Sequence, residues 1–179
     1  MNEQVQPLLQ QIIDQSDIET ADIPKIDLYM DQVITLFDNT LASSKRLPDD
    51  KLLTKTMINN YTKDKILMPA NNKKYTPEHI VHMALIYHLK QSLSIGDIKN
   101  LFQETLHQDD VNVWTVYQDF LTWKKDQAEQ MEQQIEEQLT NQQSQLNEQE
   151  QTLLTILSLT HHANMYKRLA EKLIDQMKS

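Results

Sequence analysis

A single glycine, Gly96, and five prolines serve a chain of 179 residues. Sheet-rich folds need a turn every few residues, and turns lean on glycine and proline for backbone conformations that other residues resist. With so few of them, long helices joined by a small number of breaks are the economical solution. Strand signals are correspondingly scarce, since no run alternates apolar and polar residues over five or more positions between turn clusters. The expected fold class is all-α.

The breaks then divide the chain. Val5, Leu8, Leu9, Ile12 and Ile13 fall at helical spacing within residues 2–16. An acidic connector, Asp14 to Ile23, follows and is closed by Pro24, which cannot continue a helix. Asp27 is placed to cap a second helix reaching about Ala42, where Met30, Val33, Ile34, Phe37 and Leu41 form one apolar stripe expected in the core. After the polar loop SSKRLPDD, Thr54 caps a short helix, KTMINNYTKDKIL. Met57, Ile58 and Tyr61 turn inward there and leave Lys55, Thr56, Asn59, Asn60 and Lys63 outward.

Pro69 and the run ANNKK interrupt the pattern, with Asn71 and Asn72 tolerant of positive φ and Lys73 and Lys74 at a loop tip. Thr76-Pro77-Glu78 is a strong helix start: a capping threonine, proline at the first helical position, then an acid in the first turn. Ser94 with Asp97 three residues on opens another short helix, in which Ile95, Ile98, Leu101 and Phe102 are expected to pack inward. Asp109 and Asp110 are expected to start the last long segment, with Trp114, Tyr117 and Leu121 on one stripe. From Asp126 to Gln151 the composition turns to Gln, Glu and Asn with no glycine or proline. Leu139, Leu146 and Leu153 repeat every seven, with Ile135, Gln142, Gln149 and Ile156 at the other seam position. That is the pattern of a short, imperfect coiled coil; a solvated Gln-rich spacer is the competing reading. Beyond it, Leu153, Leu154, Ile156, Leu157 and Leu159 form an apolar patch, and Met165, Leu169, Leu173 and Met177 continue it at every fourth residue. Such a helix needs a partner, in its own chain or in a second protomer.

Charge is unevenly spread. The chain carries -9 overall, yet between Lys45 and Asn100 ten bases stand against five acids, so that window is +5 and the remainder -14. An asymmetry of this kind points to a nucleic-acid-facing module on an acidic support, with ordinary fluctuation as the alternative. Asparagine can pair bidentately with adenine, and lysines at a loop tip reach phosphates. The candidate DNA-contacting residues are therefore Lys55, Thr56, Asn59, Asn60, Lys63, Lys65, Lys73 and Lys74.

Catalytic chemistry has little to stand on. Cysteine is absent, which removes disulfides, thiolate metal sites and cysteine nucleophiles. His79 with His82, and His161 with His162, lack a convergent third ligand and are expected at the surface. One glycine leaves no phosphate-binding loop. No enzyme activity, metal or cofactor is expected. The N-terminus lacks the basic start and apolar run of a signal peptide, and no apolar run reaches the ~20 residues of a membrane span, so a cytoplasmic protein is expected.

The order of Leu52–Phe102 resembles the winged helix-turn-helix of MerR-type transcription regulators. Their recognition motif, V-R-T-L-R-Y-Y-E-R-E-G-L-L-P-P, aligns without gaps on KTMINNYTKDKILMP: Tyr61 on the second aromatic, Ile66-Leu67 on the leucine pair, Pro69 on the last proline. Tyr75-Thr76-Pro77-Glu78 and Leu93-Ser94-Ile95 with Ile98 match the helix pair that follows the wing. Asn59 stands for the recognition-helix arginine, Asn60 for the first aromatic and Lys65 for the turn glycine, and the wing is shorter. More of the chain, including PKIDLYMDQV, is similar to a family of uncharacterised, mostly Firmicutes proteins known as a domain of unknown function. The resemblances imply a helix-turn-helix core and, from the MerR side, dimerisation through a long helix after the head.

The resulting expectation has three parts: an N-terminal helical support (1–44), a MerR-like winged helix-turn-helix domain (45–106) and a long helical, Gln-rich dimerisation segment (107–179). Its function would be that of a homodimeric DNA-binding transcription regulator on double-stranded DNA. The rival is an adaptor whose head and acidic C-terminal helices bind proteins.

Overall fold

The computed structural model describes residues 2–106, 111–140 and 146–177. Along them the chain runs α1 (Asn2–Ile13), β1 (Leu28–Tyr29), α2 (Met30–Thr40), a 3-10 turn (Ala42–Ser44), α3 (Lys55–Lys63), β2 (Lys74–Tyr75), α4 (Pro77–Leu89), α5 (Ile95–Glu104), α6 (Val113–Thr140) and α7 (Glu148–Met177). The fold is mostly helical, as the shortage of turn-formers requires. Its one small sheet pairs β1 and β2 antiparallel, Leu28 opposite Tyr75 and Tyr29 opposite Lys74.

Helix starts follow local chemistry. The Thr54 hydroxyl accepts the Met57 N–H at 3.1 Å. The Ser94 hydroxyl accepts the Asp97 N–H at 3.1 Å and donates to Asp97 Oδ2 at 2.6 Å. Each satisfies one of the amide donors that a helix start leaves without an intrahelical acceptor. Asp27 is a correction: α2 starts at Met30, because Leu28 and Tyr29 are drawn into the sheet, and the Tyr29 N–H is taken by the Gln32 side chain at 2.8 Å. Ile95 is another, 38% exposed on the outer side of α5 while Ile98 and Phe102 are buried.

α4 is the axis of the core. Eight of its thirteen residues are buried, from His79 to Tyr87, so nearly its whole circumference is covered. α6 packs against it, α1 packs against α6, and α2 holds α3 and both strands. The continuous core takes residues from Ile18 to Leu121, with Val33, Phe37, Leu41, Ile58, Ile80, Ile98, Phe102 and Tyr117 deepest. The acidic connector between α1 and β1 is part of this core. Ile18 and Ile23 are buried, the Tyr117 hydroxyl donates to the Ile18 carbonyl at 2.8 Å, and Lys124 Nζ reaches both Asp17 oxygens at 2.7 Å. The connector is a strap fastened across α6.

The C-terminal segment departs from a single seam. Asn147 starts a new helix: its side chain accepts the Glu150 N–H at 3.1 Å, and Glu150 accepts the Asn147 N–H at 2.8 Å. This reciprocal cap places Leu146 and Leu153 on either side of a helix start, so the seven-residue repeat does not run along one helix. Asp109, Asp110 and Gln142 lie outside the described residues. α7 packs against α5, and of its apolar residues only Ile174 is buried. No described helix is long and apolar enough to cross a membrane.

Candidate nucleic-acid interface

α3 spends its inner face on the core and leaves its outer face to water. Ile58 and Tyr61 are buried, whereas Lys55, Thr56, Asn59, Asn60 and Lys63 are all exposed. A nine-residue helix rises about 13 Å, so Lys55 and Lys63 mark its two ends.

The end of α3 is set by Lys65. Its φ is 60°, the left-handed region, and the Ile66 and Lys65 amides donate to the Tyr61 and Thr62 carbonyls at 2.9 and 3.1 Å. This Schellman arrangement turns the chain so that Ile66 and Leu67 enter the core. Glycine fits that position without a Cβ penalty and lysine does not. Lys65→Gly is expected to raise stability by about 0.5–1 kcal/mol, read as a higher urea midpoint at unchanged slope.

The lysine loop is a two-residue hairpin turn. The Asn71 and Lys74 amides each donate to the other's carbonyl at 2.9 Å, and Asn72 and Lys73 between them have φ of 48° and 64°. Positive φ at both central residues is the type I′ geometry, which asparagine tolerates well. It holds Lys73 at the exposed tip. Lys74 lies half-buried, with Nζ 5.2 Å from the centre of the Tyr29 ring.

Two of the candidate lysines converge through α2. Lys55 Nζ is 2.8 Å from Asp31 Oδ1, and Lys74 sits over Tyr29, so both reach the first residues of that helix. The Lys55–Asp31 pair is 63% and 75% exposed, which makes it a weak tie that a phosphate oxygen can replace. Tyr29 and Asp31 join this surface without any sign of it in the sequence. Nothing in their own neighbourhood signals it, because the contacts come from residues 24 and 45 positions away.

Other bases counted in the positive window are withdrawn from it. Lys90 donates to the Leu52 carbonyl at 2.8 Å, lies 5.6 Å from the Tyr87 ring centre, and has its pKa lowered by burial. Lys45 pairs with Asp38 at 3.5 Å. The surface charge facing outward from α3 and the hairpin is therefore smaller than the +5 of the sequence window.

His79 and His82 are corrections too: both are buried, each 5% exposed. His79 Nδ1 accepts the Thr76 N–H at 3.1 Å and Nε2 lies 3.3 Å from the Pro69 carbonyl, so the ring carries its proton on Nε2 and ties the start of α4 to the hairpin's approach. His82 Nδ1 is 2.9 Å from the Glu78 carbonyl. Their polar atoms have local backbone partners, which is why an apolar helix face can hold them. His161 is exposed. Among the described residues no three His, Asp or Glu side chains converge as a metal site would need.

A second polar cluster lies behind the strap. His88 Nε2 is 3.5 Å from Asp17 Oδ1, and Lys124 closes on the same carboxylate. Burial pushes the His88 pKa down to about 4; Asp17 opposes that shift and Lys124 adds to it. Burial, reinforced by Asp17 and Glu19, raises the Tyr117 hydroxyl well above its usual range.

One family, described as Domain of unknown function (DUF1836), matches residues 18–120, which is almost the span of the buried core from Ile18 to Leu121. No curated protein and no solved structure matches the chain.

Proposed function

The chain belongs to the DUF1836 family, whose matched span of residues 18–120 includes the basic surface, and we propose that it is a DNA-binding transcription regulator acting as a homodimer. α2, assigned from sequence to the N-terminal support, joins α3 as the helix-turn-helix, with the 71–74 hairpin as a short wing, a MerR-like arrangement. α3 enters the major groove, where Asn59, Asn60 and Thr56 meet base edges while Lys55, Lys63 and Lys65 hold phosphates beside it. Lys73 and Lys74 hold the backbone from the hairpin.

The observation that carries this reading is the outer face of α3, where five polar or basic side chains are all exposed. The order β1–α2–α3–β2–α4–α5 supports it. So does Lys65, which takes a positive φ at the position aligned with the turn glycine of the MerR motif. The test is titration of the full chain against its own upstream DNA. Affinity should fall with salt at a log–log slope of about -0.9 per neutralised phosphate. A flat response, or no shift with any upstream fragment, would sink the proposal.

The second reading is a protein-binding adaptor. It draws on the -14 charge outside the basic window and on the large apolar residues that α7 leaves in water. Under it, partner capture survives loss of the basic face.

A further inference from the structure

Of the apolar surfaces that face water among the described residues, two have the form of a groove and a ridge. The first is a groove of about 410 Å³ between the end of α1 and the middle of α6, lined by Ile12, Trp123 and Met131 and by the Asp17–Lys124 and Glu19–Lys125 ion pairs. Those three apolar residues are 59%, 59% and 52% exposed, and Leu8, one turn back on α1, is 59% exposed. The second is a ridge on α7. Met165, Leu169, Leu173 and Met177 follow at every fourth residue, with Tyr166 alongside, all between 45% and 72% exposed. Residues at this spacing form one ridge of a helix surface, the kind that packs into a groove.

We propose that a second copy of this chain fills the groove: the α7 ridge of one copy seats in the α1–α6 groove of the other, and the reverse contact forms at the same time. Area supports it. Ridge and groove together expose roughly 1,000 Å² of apolar surface per copy, comparable to the ~800 Å² per partner of a stable interface. The whole chain exposes 12271 Å², about a third above the ~9,000 Å² of a compact monomer of its mass.

Charge agrees with the pairing. Lys167, Arg168 and Lys172 flank the ridge beside Glu171 and Asp175, a net +1, while the groove sets Asp14, Asp17 and Glu19 against Lys124 and Lys125, a net -1. Ridge in groove sets a net positive face against a net negative one. Ridge on ridge would leave Trp123 in water. Two reciprocal contacts close on a two-fold axis, so assembly stops at the dimer.

This gives the proposed homodimer its contact surface and rests on that reading only for its role. The test contains no DNA, so either can fail without the other. The solution mass of the full chain should be that of a dimer. Leu169→Glu with Leu173→Glu on the ridge, and separately Ile12→Lys with Met131→Lys in the groove, should each halve it with helical content unchanged. Mixing the two variants should restore the dimer mass, since one contact is intact and the other joins glutamates to lysines. Serine at the same positions gives the same test should a charged variant fail to fold. A monomeric wild type overturns the proposal. So does a groove variant that remains dimeric beside a monomeric ridge variant, which would mean ridge-on-ridge pairing.

Discussion

Replacing Lys63, Lys73 and Lys74 together by glutamate is expected to weaken DNA binding at least about a hundred-fold at moderate salt and to reduce the salt slope by about three. The three sites lie at the end of α3 and on the hairpin, and Lys63 and Lys73 are exposed, so the folded state loses little when they change. Lys74 is the exception, giving up its place over the Tyr29 ring, an interaction of about 0.5–1 kcal/mol at an exposed site. A mobility-shift titration with wild type and variant, each at several salt concentrations, makes the measurement. Equal affinity and slope for the two would move the weight of argument to the adaptor reading. Asn59→Ala separates base reading from phosphate holding: it should relax sequence preference while leaving the salt slope in place.

Acid should unfold this protein through His88. Its folded pKa of about 4 lies below the ordinary imidazole value of 6.5, so the unfolded chain takes up the proton first. The stability this group provides is complete above pH 6.5 and drains away as pH falls toward 4. The shift corresponds to roughly 3 kcal/mol at the bottom of that window, a large fraction of the ~5–15 kcal/mol that holds a domain together. Around the ring, Asp17 from the strap attracts the imidazolium and Lys124 from α6 repels it, but burial dominates. Urea unfolding at pH 7, 5.5 and 4 should show wild type losing about that much more than His88→Gln, which cannot titrate. Parallel pH curves for the two proteins would reject the assignment.

Much of the helical layout was legible because its causes are local. Thr54, Thr76 and Ser94 each bond an amide three residues on, so a window of four residues contains the whole interaction. The Val33, Phe37 and Leu41 stripe needs only helical spacing. The positive φ tolerated around Asn72 belongs to a turn that closes within four residues. Where the reading failed, a distant residue had intervened. Asp27 lost its capping role because β1 pairs with β2, 46 residues along. His79 and His82 are hidden because other elements pack over α4. The seven-residue seam is the exception, broken by a local cap between Asn147 and Glu150.

What the sequence determined by itself is the helical class, most of the helix starts and the inward faces of α2 and α3, since all three follow from composition, periodicity and short-range hydrogen bonds. Only the tertiary structure decided which charges are free to act. It brought Lys55 and Lys74 together at the start of α2, withdrew Lys90 onto the Leu52 carbonyl, and joined Asp17 to Lys124 across 107 residues. The physical reason is that a charge acts through what surrounds it, and those surroundings exist only once the chain has folded.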